Sequence, residues 1–337
     1  AYADEKFGGA DTALVVKLGE GKNLLELWHG PTCAFKDMAL QMLPHLLTAS
    51  LRKTGETRTA CILVATSGDT GKAALDGFHD VPGTKIMVYY PVDGVSPMQK
   101  LQMVTQEGRN VEVVAIRGNF DDAQSAVKRI FTDEDTRAAL DKDGMMLSSA
   151  NSINWGRLAP QIAYYVSAYC DMVAAGTIAQ GDKINVCVPT GNFGNILAAY
   201  IAKKMGLPVN KFICASNRNN VLTDFFKKGG EYNRNRDFFT TTSPSMDILI
   251  SSNLERLLFF ASDFSDKLVA ELMGKLNTEG SYKVAEDVFA KIEAEFDAGC
   301  CDDSHAADTI NKLWKDENYL CDTHTAVAVR VYEDYRA

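Results

Sequence analysis

Lys36 stands at the end of the run Trp28-His29-Gly30-Pro31-Thr32-Cys33-Ala34-Phe35-Lys36-Asp37. Gly30-Pro31-Thr32 reads as a tight turn, and Cys33-Ala34-Phe35 as an apolar approach. A free lysine titrates near pH 10.4 and is most often a solvated surface group. An amine delivered along an apolar approach to the start of a helix can instead condense with an aldehyde and, once released, serve as a base. Two glycine-rich loops follow, each between an apolar run of strand length and a helical run. Gly191-Asn192-Phe193-Gly194-Asn195 lets backbone amides converge on an anion at the positive end of the next helix, with Asn192 and Asn195 as further donors. It lacks the lysine of a Walker loop and is not G-x-G-x-x-G, so a plain tight turn is its competing reading.

Ser67-Gly68-Asp69-Thr70-Gly71 offers two hydroxyls and exposed amides beside Asp69, which suits a carboxylate. Its alternative is that Ser67 or Thr70 caps the following helix. Asn151-Ser152-Ile153-Asn154-Trp155-Gly156-Arg157 places polar side chains before another helix, and the fork of Arg157 matches a phosphate. The plain alternative for Arg157 is an exposed arginine at a helix start. Ser243 to Asp247 is a turn with the same two readings, while His45 and His79 read as structural. An imine-forming lysine, an anion cradle and a carboxylate pocket are the parts that hold pyridoxal phosphate and an amino-acid substrate.

Short alternating elements must position these residues. Leu14–Leu18, Leu24–Trp28, Cys61–Ala65, Lys85–Tyr90, Val111–Ile116, Met145–Ser148, Ile184–Val188 and Phe212–Ala215 read as strands. Helices are expected over Met38–Leu47, from about Lys72 to Phe78, from Pro97 towards Gly108, from a cap at Asp121 to Phe131, over Leu158–Ala175, and after the second glycine loop to Met205. This α/β alternation means two doubly wound parallel sheets, with ligands at the carboxyl ends of the strands. Beyond Asn253 helical runs dominate, with Lys283, Asp287, Lys291 and Glu295 spaced along one solvated face. The expected division is a larger cofactor-binding domain over 1–37 and 151–253 with the cleft against a smaller substrate-binding domain over 38–150. A mostly helical lobe over 254–337 returns to the larger domain.

The 337 residues are 46% hydrophobic and suffice for about two domains. The 35 basic and 44 acidic residues give a net charge of −9, with no lysine or arginine block. Nucleic acid and an anionic membrane surface are therefore not expected partners. No apolar run has the length of a membrane span, and the acidic start Ala1 to Glu5 is unlike a signal peptide. Eight cysteines without a C-x-x-C pair point to a reducing, cytoplasmic setting and no metal site. Cys300-Cys301 with Asp302, Asp303 and His305 reads as an acidic loop between helices rather than a metal cluster.

Together, His29 to Thr32 with Phe35 to Asp37, Thr66 to Gly71, and Pro189 to Asn195 resemble the motifs of threonine synthase, in the tryptophan-synthase-like, fold-type-II group. Asn151 to Asn154, Ser243 to Asp247 and Asp322 to Val327 match further segments, so the likeness runs over nearly the whole chain. The resemblance implies conversion of O-phospho-L-homoserine and water to L-threonine and phosphate, by a monomer or homodimer. It implies Lys36 as the catalytic, cofactor-bearing lysine, and Asp69 and Gly191 to Asn195 as cofactor ligands. Ser67, Gly68, Thr70, Asn151, Ser152, Asn154 and Arg157 would receive the substrate. Many relatives in the wider group carry asparagine at the position of Asp69. The family also extends beyond both ends of this chain, into a threonine-containing stretch expected to hold the pyridine nitrogen, so the chain reads as a truncated core in which Thr325 is a poor stand-in. Competing readings are a related phospholyase or dehydratase releasing a keto acid, and a catalytically silent core.

Overall fold

Buried alternation along the strands and polar caps on the helices account for most of the architecture. The computed structural model describes residues 1–2, 4–9 and 12–337, leaving aside the side chains of Asp4 and Asp121. The chain forms two compact units, one of Ala1–Lys17 with Asn23–Ala168, the other of Leu18–Lys22 with Tyr169–Ala337.

The first unit opens with α1 (Asp4–Phe7) and a hairpin of β1 (Val15–Lys17) and β2 (Asn23–Leu25), with Val16 opposite Leu24. Next come α2 (Asp37–Leu40), α3 (Leu43–Thr54), β3 (Thr59–Ala65), α4 (Asp69–Phe78), β4 (Thr84–Pro91), α5 (Pro97–Val104) and β5 (Val111–Ile116). Then follow α6 (Phe120–Thr132), α7 (Glu134–Lys142), β6 (Met145–Ser149) and α8 (Trp155–Ala174), whose last turns belong to the second unit. The four strands pair in parallel in the order β5-β4-β3-β6, with Ile62 opposite Ile86 and Leu63 opposite Ser149. Period-two alternation divides β3 between two cores. Ala60, Ile62 and Val64 pack with Leu40, Leu43, Leu75 and Phe78, while Leu63 and Ala65 pack with Ala123 and Val127 of α6. Helices thus cover both faces.

The second unit continues through β7 (Ile184–Pro189), α9 (Gly194–Lys204), β8 (Val209–Ser216), α10 (Val221–Lys227) and β9 (Glu231–Asn233). It then runs through α11 (Leu254–Ala261), α12 (Asp266–Thr278), β10 (Ser281–Lys283), α13 (Glu286–Glu295), β11 (Phe296–Cys300), α14 (Asp303–Glu317) and α15 (Thr323–Arg336). β11, β8 and β7 form a parallel sheet in that order, and β9 pairs antiparallel with β10. Phe193, Tyr200, Phe212, Phe226 and Phe296 cluster in its core, with Phe212 and Phe296 ring centroids 5.1 Å apart.

Several local expectations are corrected. The run Met38–Leu47 is divided between α2 and α3. Asn119, not Asp121, caps α6: its side chain accepts from the Asp122 amide while Asp122 accepts from the Asn119 amide, a reciprocal box. α5 ends at Val104, short of Gly108. The stretch beyond Asn253 holds two strands besides its helices, and β11 joins the central sheet, with Cys300 as its last residue rather than a loop position. Lys283 lies in β10, so only Asp287, Lys291 and Glu295 share α13. Asp302 accepts from the His305 amide and is the cap of α14.

If the reciprocal box stabilises α6 as its geometry indicates, Asn119→Ala should lower unfolding free energy by about 1 kcal/mol. Urea denaturation should show this as a lower midpoint with an unchanged slope.

Candidate active site

Strand order places the first half of the site. β4 and β5 extend from one side of β3, and β6 pairs on the other, so the connections after β3 and β6 diverge at their carboxyl ends. Such a switch point opens a crevice in a parallel sheet. Both segments expected to receive substrate, Ser67 to Thr70 and Asn151 to Arg157, start there. Asn151 Nδ2 donates to the Ala65 carbonyl at 3.0 Å, Asn154 Nδ2 to the Ser149 carbonyl at 2.8 Å, and half-buried Ser152 sits in the turn between them.

The Lys36 turn is locked by its neighbour. Asp37 is fully buried, and its carboxylate accepts from the Thr32 amide at 2.8 Å and the Thr32 hydroxyl at 2.6 Å. Burial pushes the Asp37 carboxyl up, and the bonds from Thr32 pull it back. Lys36 then points its amine at Asp69, with Nζ 3.0 Å from Oδ2 and only 12% of the side chain exposed. Burial lowers the Lys36 amine below the ordinary lysine value; Asp69 opposes this, and the charges of Arg157 and Lys72 add to it.

Thr66 shapes the glycine loop that carries Asp69. Its hydroxyl oxygen accepts from the amides of Gly68 and Gly71, each at 2.9 Å. Gly68 is the residue before α4, at φ +138°, where a side chain would also run into Gln99. Neither Ser67 nor Thr70 is the helix cap, and α4 begins at Asp69, three residues before the expected Lys72. Ser67 is exposed. Gln99 Nε2 donates to Asp69 Oδ1 at 2.8 Å, steadying the carboxylate from α5.

Arg157 is buried, not exposed, at 6% of its surface. It donates to the Ala150 carbonyl at 2.8 Å and reaches the Thr70 hydroxyl at 3.5 Å. Among the described residues it makes no ion pair, and burial pushes its guanidinium down to about 10, against the pull of Asp69. A buried guanidinium without a carboxylate partner can accept an anion as its counter-charge.

The second unit carries the other glycine loop between β7 and α9. Phe193 caps α9 in the left-handed region at φ +64°, and its buried ring packs on Phe226 and Phe296. That anchor fixes the turn at the start of α9, the end of a helix from which backbone amides point outward. A Cβ on Gly191 would come within 2.7 Å of the Ser245 carbonyl. Ser251 Oγ donates to the Gly191 carbonyl at 2.7 Å, and Asn253 Nδ2 to that of exposed Asn192 at 2.8 Å. The Ser243–Asp247 turn is organised by Asp247, which accepts from Asn217, Asn219 and Thr241. His324 Nε2 accepts from the Ser245 amide at 3.2 Å, while Thr325 is engaged with the capping residue Asp322.

The first unit therefore brings Lys36, Gly68, Asp69, Thr70 and Arg157 together around the switch point, and the second builds the 191–195 cradle. Sequence reasoning passed over Lys72, Gln99 and Asn253. Only Lys72 carried a signal, since it stands one helical turn after Asp69. Among the described residues no cluster of histidine, cysteine and carboxylate side chains is placed to hold a metal ion.

A switch-point crevice with a buried amine, on parallel sheets of this order, defines a fold-type-II pyridoxal-phosphate enzyme. The chain belongs to the pyridoxal-phosphate dependent enzyme family, whose model matches residues 23–337. It is 44% identical over 330 residues to threonine synthase-like 1 of Homo sapiens, covering 96% of this chain and 44% of that protein. It is 41% identical over 313 residues to threonine synthase of Pseudomonas aeruginosa, covering 93% and 64%. A solved structure of pyridoxal-phosphate-bound threonine synthase from Brucella melitensis superposes with a TM-score of 0.88 at 40% identity, over 98% of this chain and 69% of that one. This chain thus spans less than half the length of the human relative. The cofactor is pyridoxal 5′-phosphate, and the residues present fit it: a buried amine whose pKa burial lowers, and a glycine turn at a helix start that leaves no room for a Cβ at Gly191.

Because burial lowers the amine, Lys36 should titrate below the ordinary lysine value near 10.4. The unfolded chain then binds the extra proton between the two values, so this group's contribution to stability rises with pH across that window. Reductive methylation followed by peptide mapping over a pH series should show Lys36 reacting at lower pH than exposed Lys53.

Proposed function

We propose that the chain carries out the threonine synthase reaction, converting O-phospho-L-homoserine and water to L-threonine and phosphate. The observation that supports this most is Arg157, a buried guanidinium at the switch point beside Thr70 and without a carboxylate partner among the described residues. A substrate that brings its own phosphate supplies the missing anion. The relatives named threonine synthase support the same reading.

On this reading Lys36 Nζ is the anchoring amine and, when released, takes the proton from the substrate Cα. Bound pyridoxal phosphate supplies the electron sink for that proton loss. Asp69 holds the Lys36 amine and fixes its direction. The amides at Gly194 and Asn195 and the side chains of Asn192 and Asn195 receive the cofactor phosphate, with Gly191 and Phe193 shaping the turn. Ser67, Gly68 and Thr70 receive the substrate carboxylate. Arg157, with Asn151, Ser152 and Asn154 around it, receives the substrate phosphate and keeps it as the leaving group departs.

Supplied with cofactor and phosphohomoserine, the chain should release threonine and phosphate in equal amounts. Phosphate with a keto acid and ammonia would instead mark the related lyase, and no product would mark a silent core. Lys36→Ala should lower turnover by at least about 100-fold. Arg157→Lys, which loses the fork, should raise KM for phosphohomoserine about tenfold or more while cofactor absorbance stays unchanged.

A further inference from the structure

Lys72 is a buried lysine that the proposed reaction leaves without a task. It lies on α4 one turn after Asp69, with 7% of its surface exposed. Its Nζ donates to the Thr32 carbonyl at 2.7 Å and stands 3.6 Å from Asp69 Oδ1. The other oxygen of the same carboxylate takes Lys36 at 3.0 Å. Thr32 is in turn gripped by Asp37, the residue after Lys36. These contacts close a ring: Lys36 to Asp69, Asp69 to Lys72, Lys72 to Thr32, Thr32 to Asp37, and Asp37 by the peptide bond back to Lys36. A lysine buried for packing alone costs free energy unless it is paired. Here the pairing carboxylate is the one that also holds the cofactor's amine.

We propose that Lys72 is a positioning residue for Lys36, holding its turn through the Thr32 carbonyl and sharing with it the charge of Asp69, a carboxylate that Gln99 also steadies. The inference rests on Lys36 being the cofactor's amine, not on the identity of the substrate. The charged groups facing Lys36 are Asp69 and Lys72 from α4 and Arg157 from α8. Without the Lys72 charge, Asp69 acts more fully on Lys36 against Arg157, and the Lys36 ammonium keeps its proton to higher pH.

The test is the pH midpoint of Lys36 methylation in the full chain freed of cofactor, measured by peptide mapping. Lys72→Gln keeps a donor for the Thr32 carbonyl and removes the charge, while Lys72→Arg keeps both. Lys72→Gln should raise the midpoint measurably, and Lys72→Arg should stay near the unaltered protein. Loaded with pyridoxal phosphate, the Gln variant should need correspondingly higher pH to develop violet-blue absorbance. An unchanged midpoint in a cooperatively melting Lys72→Gln protein overturns the proposal, as does an equal shift in Lys72→Arg. Should the Gln variant not fold, Lys72→Met fills the same space and carries the same expected and overturning results. Because the methylation uses neither cofactor nor substrate, failure to form threonine leaves this inference standing, and an unmoved midpoint leaves the threonine reading standing.

Discussion

The ion pair between Lys36 and Asp69 is the constraint around which the first unit is built. An amine this deeply buried loses hydration, and a fully ionised pair in isolation would hold it as an unreactive ammonium. The structure resolves the conflict with a second and third cation. Lys72 shares the carboxylate, and Arg157 adds its charge from α8. Asp69 thus holds the amine in direction, while burial and the two neighbouring cations lower its pKa. Under the proposed function, in which Lys36 bonds covalently and then acts as a base, that combination is what the residue needs.

Sheet order turns this local chemistry into a site. Because β6 pairs with β3 on the side away from β4, the connections leading to Asp69 at the start of α4 and Arg157 in the first turn of α8 emerge next to each other. Neighbouring groups then brace them: Gln99 on α5 grips Asp69 across 30 residues, and the Ala150 carbonyl, just before α8, accepts from Arg157. In the second unit the same logic uses an aromatic anchor. Phe193 accepts a left-handed backbone because its ring is seated in a cluster of phenylalanines, and the glycine turn around it is held by Ser251 and Asn253.

Much of this was legible in the order of residues. Apolar runs bounded by glycine located the parallel strands β3 to β8, and the Lys36 turn with its two glycine loops pointed to pyridoxal phosphate, the cofactor that the family match then gave. The family resemblance further suggested the threonine synthase reaction. Other features were hidden for physical reasons. β11 reads Phe-Asp-Ala-Gly-Cys and follows α13 without a break, so neither its composition nor a turn announced a strand. Gln99 touches Asp69 across 30 residues, which no local pattern encodes. Asn119 was passed over for Asp121, although only the former has a partner carboxylate three residues on, at Asp122. The burial of Arg157 is hidden because sequence shows a charge but not the crevice that buries it.

The most direct test is to reduce the pyridoxal-phosphate-loaded chain with borohydride and locate the pyridoxyl group by peptide mapping. The account predicts a single modified peptide, bearing the group on Lys36. A pyridoxyl group on Lys72, or on any other lysine with Lys36 unmodified, would contradict it.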